Sequence, residues 1–170
     1  MTIPLATIKS ALKVDYDDDD RDLTRLREAA MSLISRNTQL ALTVESYLLY
    51  LTQWRDTVFP LAPFVSVTSV KYTTGAVITT MPTSSYWVER SDALPKLRFL
   101  DVPGIDVGTA IIVTYSAGYA DLPPEVTHAV ISLVGHWYNN PEAAQPISLN
   151  TVPLGLEYIM RSISTTAGFR

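Results

Sequence analysis

Between Ala110 and Asn140 the apolar positions switch from a period of two to the helical period, with a turn in between. Ile111, Val113 and Tyr115 alternate with Ile112, Thr114 and Ser116, which predicts a strand with one large apolar face and one mixed face. Gly118 breaks the run. Pro123 and Pro124 suit a helix start, where the missing N–H costs nothing, and Glu125 in the first turn favours the dipole. Val126, Val130, Leu133 and Trp137, flanked by Ala129 and Val134, then form an apolar face too wide for a surface helix. The spacing predicts a core helix over 123–140, stopped by Asn139, Asn140 and Pro141.

Nearer the N-terminus the period is helical twice. Leu5, Ile8 and Leu12 share one face of a short amphipathic helix over Pro4 to Lys13. Leu23, Leu26, Ala30, Leu33 and Ile34 predict a second helix running to about Leu40. A short acidic turn joins the two into a helical hairpin over 1–42.

From 46 to 117 the pattern is mainly that of β-structure. Ser46 to Trp54 (SYLLYLTQW) reads as a strand, and Pro60 and Pro63 around Leu61 suit an extended crossover or edge. Val65, Val67, Val70 and Tyr72 predict a strand with a bulge near Thr68 and Ser69, a turn at Thr74-Gly75, and a return strand over Ala76 to Thr80. Tyr86 to Glu89 and Lys96 to Leu100 read as two more short strands, and Asp101 to Gly108 as a loop. Past Pro141 comes an irregular loop, then, over 153–170, a short helix carrying Leu154, Tyr158 and Met160 followed by a tail from Ser162 to Arg170 that is either frayed or an arm ordered by a partner. These elements describe one α+β domain: a helical hairpin and a later central helix forming a small bundle, an inserted antiparallel sheet, and an extended C-terminal arm.

Composition narrows the function. With 170 residues and 47% hydrophobic content the chain can bury a sizeable core. A net charge of -4 argues against wrapping nucleic acid on a basic face. The absence of cysteine excludes disulfides and thiolate sites and fits an intracellular or virion protein. No uncharged run is long enough to span a bilayer, and Met1 to Ser10 lacks the pattern of a signal peptide, so a soluble, unexported chain is expected.

Little in the sequence marks catalysis. Walker, GxGxxG and GxSxG patterns are missing, and Ser10-Ala11-Leu12-Lys13 matches SxxK without its partner motifs. His128 and His136 lie eight residues apart on the central helix, about 12 Å along its axis, too far to share one zinc. A small-ligand or hydrolytic domain would have to pair His136 with a carboxylate in a pocket between sheet and helix. The run Asp17, Asp18, Asp19 and Asp20 suits helix capping and the first-turn dipole; as a calcium loop it fails, because Asp20 and Leu26, or Arg21 and Asp22, stand where an EF-hand requires other residues. Trp137-Tyr138, Trp54 and Trp87 read as core and interface rather than a ligand cage.

The segments LKVDYDDDDRDLTRLREAA (Leu12 to Ala30), PFVSVTSVKY (Pro63 to Tyr72), VTYSAGYADLPPEVTHAV (Val113 to Val130) and HWYNNPEA (His136 to Ala143), in that order, resemble the head-tail connector (adaptor, head-completion) family of tailed bacteriophages and gene transfer agents. The resemblance implies a non-enzymatic virion protein, without cofactor or metal, assembled in the host cytoplasm as a homo-oligomeric ring, commonly a dodecamer, beneath the portal. Such a ring docks a stopper or tail-completion protein and passes DNA without reading its sequence. In the family the C-terminal segment reaches the portal, which maps here onto Leu154, Tyr158, Phe169 and Arg170. A carboxylate-lined lumen would repel phosphate and let DNA slide, with Asp17 to Asp20 as candidates beside their capping role. A different virion joint, such as a tail-completion protein, is the alternative within the same class.

Overall fold

A computed structural model describes residues 2–90, 94–141 and 154–164, with 154–157 known by backbone only. Two compact units emerge, one made of 1–43 with 119–170 and the other of 44–118.

The first unit is helical. Helix α1 (Leu5–Leu12) buries Ile8, and α2 (Asp20–Thr38) buries Leu23, Leu26, Ala30, Ile34 and Thr38, one stripe at helical spacing. Helix α3 (Pro124–Asn139) starts on Pro123 and Pro124 and buries Val126, Ala129, Val130, Leu133, Val134, Gly135 and Trp137. It packs on α1, α2 and the last helix, α4 (Leu154–Ile163), as a central helix should. Its C-terminal carbonyls find the partners that the asparagines promise: the Asn139 amide donates to Gly135 O and the Asn140 amide to His136 O, both at 2.9 Å. The last helix extends three residues beyond Met160, to Ile163, so Ser162 is helical rather than part of an irregular tail.

Among the described residues the second unit contains seven antiparallel strands in two sheets, a division that period-two patterning does not specify. The larger sheet holds β1 (Glu45–Leu51), β3 (Phe64–Thr74), β4 (Val77–Thr80) and β7 (Ile111–Ala117), in the order β1-β7-β3-β4. The smaller holds β2 (Thr57–Val58), β5 (Tyr86–Glu89) and β6 (Lys96–Phe99), in the order β2-β6-β5. Ile111, Val113, Tyr115 and Ala117 of β7 are buried while the residues between them are half-buried, the alternation the sequence displays. Register shifts in β3 fall between Val67 and Ser69 and between Phe64 and Ser66, so the bulge lies where expected and a second irregularity precedes it.

Two segments depart from the period-two reading. Strand β1 stops at Leu51 instead of continuing to Trp54, because the Trp54 indole donates to Pro103 O at 2.7 Å and its ring meets Tyr72 and Phe99 edge-on. Thr57 and Val58 pair with Leu97 and Lys96, a strand too short to leave a period. Just after it Phe59, fully buried, stacks on Phe64 at 4.4 Å and tilts against Tyr115 at 4.9 Å. Trp87 differs from the core reading: its side chain is exposed, with the Arg98 guanidinium 5.9 Å from the ring centroid.

Candidate functional site

The aspartate run does not cap α2. Asp19 occupies the N-cap position, yet no side-chain capping hydrogen bond forms, because its carboxylate accepts the Tyr138 hydroxyl at 2.5 Å instead. Tyr16 Oη lies 3.0 Å from Tyr138 Oη. Lys9 Nζ donates to Asp17 and to Asp20, both at 2.6 Å. These bonds tie the turn between α1 and α2 to the ends of α1 and α3. Electrostatics follow the geometry: the bond to Asp17, then the one to Asp20, raise the Lys9 ammonium above its ordinary value, and Lys9 in turn lowers Asp17. Asp19 holds the Tyr138 hydroxyl far above the usual tyrosine range. The dipole part of the sequence reading stands, with Asp20 and Asp22 in the first turn of α2. Asp18 is the exposed member of the run without such a bond among the described residues.

A second built corner lies at the β3–β4 hairpin. Gly75 and Ala76 both adopt positive φ, +61° and +62°, the pattern of a two-residue hairpin turn whose twist matches that of the strands. Alanine is strained there. One carboxylate from the loop after β6 holds the turn: the Gly75 N–H donates to Asp106 Oδ1 at 3.0 Å and the Ala76 N–H to Oδ2 at 2.9 Å. Thr74 Oγ1 donates to Gly104 O at 2.6 Å, and the Asp106 N–H to Thr73 O at 3.0 Å. Val77, Ile78 and Val107 stand exposed around this corner.

The two backbone bonds lower the Asp106 carboxyl below its ordinary 3.8. A depressed folded pKa means the contribution is complete above 3.8 and disappears as pH falls through the lower folded value. Asp106→Asn is therefore expected to flatten the acid limb of the stability curve below about pH 4. It should also raise hydrogen exchange at Gly75 and Ala76. Unchanged exchange at both amides would show that the clamp does not hold the turn.

Of the residues assigned to the portal, Tyr158 is exposed on α4, Leu154 is helical by backbone, and Phe169 and Arg170 lie outside the described residues, as does the loop 142–153. Met160, on the same helix, is buried. His128 is exposed and His136 half-buried on α3. Among the described residues no cluster of three or more His, Asp or Glu could hold a metal ion, and no helix is long and apolar enough to cross a membrane.

No protein-family model matches this chain, and no curated relative does. Solved structures do. A chain from the virion of a native gene transfer agent particle superposes with a TM-score of 0.79, and one from the neck of an empty gene transfer agent particle computed with C6 symmetry with a TM-score of 0.78. Each is 22% identical and covers 96% of this chain and 89% of its own. A chain from the neck of a native particle computed with C12 symmetry, also 22% identical, gives a TM-score of 0.72 over 96% of this chain and 92% of that one. The protein has the fold of these gene transfer agent chains along nearly its whole length.

Proposed function

We propose that the protein is a structural, non-enzymatic subunit of the neck of a tailed phage-like particle, residing at the head-tail junction. It forms a homo-oligomeric ring beneath the portal, joins the DNA-filled head to the tail or stopper, and lines the DNA exit channel. One observation carries this reading: agreement in fold over 96% of the chain with subunits of gene transfer agent particles, two of them from necks computed with rotational symmetry. Identity that low leaves individual contacts to be read from this chain's own residues. Leu154, Tyr158, Phe169 and Arg170 are proposed to reach the portal, with Tyr158 the exposed anchor on α4. Asp18 is the lumen carboxylate to test first, because Asp17, Asp19 and Asp20 are held by Lys9 and Tyr138.

Negative-stain imaging with light scattering, on the purified protein alone and mixed with the portal protein encoded beside it, tests the reading. Rings, or a disc capping the portal, are expected. A protein that stays monomeric in both samples and leaves the portal uncapped would overturn it.

A further inference from the structure

Among the described residues the four-stranded sheet ends in β1 on one side and β4 on the other: β1 pairs with β7 and β4 with β3, and no further strand is seen beyond Ser46 to Leu51 or beyond β4. Such edges expose unpaired backbone groups, and folded proteins usually blunt them with charges, proline or bulges. Among the described residues, Glu45 at the start of β1 is the one charge on either edge strand. From Ser46 to Leu51 the strand reads SYLLYL, free of charge and proline, in uninterrupted register with β7. Strand β4 reads VITT, again uncharged, with all four residues exposed. Tyr50, Ile112, Lys71 and Thr80 form one cross-strand row, which puts Leu48 and Tyr50 on the same face of the sheet as Ile78 and Thr80. Leu48, Tyr50 and Ile78 are 56%, 60% and 69% exposed.

Strand direction decides how copies can meet. Each neighbour in the order β1-β7-β3-β4 is antiparallel, so across four strands β1 and β4 run in opposite senses. Place a second copy beside the first by a translation with a small rotation, as ring subunits are related, and its β4 comes alongside β1 antiparallel. The apolar pairs then fall on one face. Had the sheet an odd number of strands, the same operation would bring edges together in parallel, the weaker pairing. Head-to-tail contacts of this kind use two different patches and close into rings when the rotation closes.

We propose that β1 of one copy pairs antiparallel with β4 of the next, so that the larger sheets of adjacent subunits fuse into one continuous sheet with Leu48 and Tyr50 beside Ile78 and Thr80. The pairing rests on the ring reading of the protein's function. Backbone hydrogen bonds provide the joint, and the uncharged exposed side chains set which edge accepts which.

A cysteine-free sequence makes the test direct. Leu48→Cys and Ile78→Cys are introduced together into the full chain, assembled with the portal, and treated with a short bifunctional thiol crosslinker, with mass followed by light scattering. A covalent ladder from dimers upward is expected for the double variant. Neither single variant should be linked. A dimer from Leu48→Cys alone would mean two-fold β1–β1 pairing and would overturn the head-to-tail joint. Rings by light scattering with no ladder, also when Ser46 or Tyr50 is paired with Thr80 as cysteines, would overturn the edge pairing and leave the ring reading intact. Absence of any assembly would remove both. Tyr50→Lys with Ile78→Lys gives an independent check: circular dichroism should be unchanged while ring formation falls at least tenfold. Unimpaired assembly would refute the joint.

Discussion

Replacing Phe59 with alanine is expected to cost about 3–5 kcal/mol, the range for emptying a well-packed aromatic site. The ring is fully buried and stacked on Phe64, with Tyr115 on its other contact. Tyr115 is itself buried on β7 and meets the Tyr47 ring at 5.8 Å. Phe59 follows a strand of the smaller sheet, and its N–H donates to Pro95 O at 3.2 Å; its ring is therefore a bolt between the two sheets. Alanine keeps the backbone bond and removes the bolt, leaving a cavity beside the Phe64 and Tyr115 rings. Phe59→Leu keeps most of the volume and should cost less than half as much. Urea unfolding followed by tryptophan fluorescence is suitable, because Trp54 and Trp87 belong to the same unit. A shift under about 1 kcal/mol for Phe59→Ala would mean that the two sheets do not depend on this stack.

The second expectation concerns Gly135, where a side chain has the opposite fault. A Cβ built on this buried helical position would stand 2.9 Å from Leu12 Cδ2, so α1 and α3 approach through the space a glycine leaves. Gly135→Leu places a full side chain into that contact and should cost about 1–3 kcal/mol or more by overpacking. Gly135→Ala is a balance: helix propensity favours alanine by about 1 kcal/mol, while the terminal methyl of Leu12 has to move. Near-neutrality is expected for that single change. In a Leu12→Ala background the obstruction is gone, and Gly135→Ala should then stabilise by close to the full propensity gain. Thermal unfolding of the four proteins measures the coupling. Equal effects of Gly135→Ala in both backgrounds would mean that α1 does not press on α3 at this point.

These two positions also mark what the sequence makes legible. Long elements with a sustained period were readable: α2, α3 and β7 declare their buried faces through Leu23 to Ile34, Val126 to Trp137 and Ile111 to Tyr115. Phe59 was not, since a strand of two residues has no period and Pro60 beside it points to a break. The acidic turn shows a different limit. Aspartates ahead of a helix have a local use as caps, and only the folded chain reveals that Lys9 and Tyr138 take them. Tyr138 reaches Asp19 across 119 residues, and Asp106 reaches the hairpin turn across 30. Contacts at such separations leave no mark on spacing. Strand pairing falls between these cases: strand positions followed from alternation, while the separation into two sheets depends on which edges meet.

Glu45 and Ala117 are direct cross-strand partners, so the β unit begins and ends on neighbouring strands. Its leads lie roughly 5 Å apart. A segment inserted through so narrow a doorway adds almost no closure entropy to the helical chain that hosts it, however many residues it contains. A change of length within residues 44–118 is therefore expected to leave that closure cost unchanged as long as Glu45 and Ala117 stay paired.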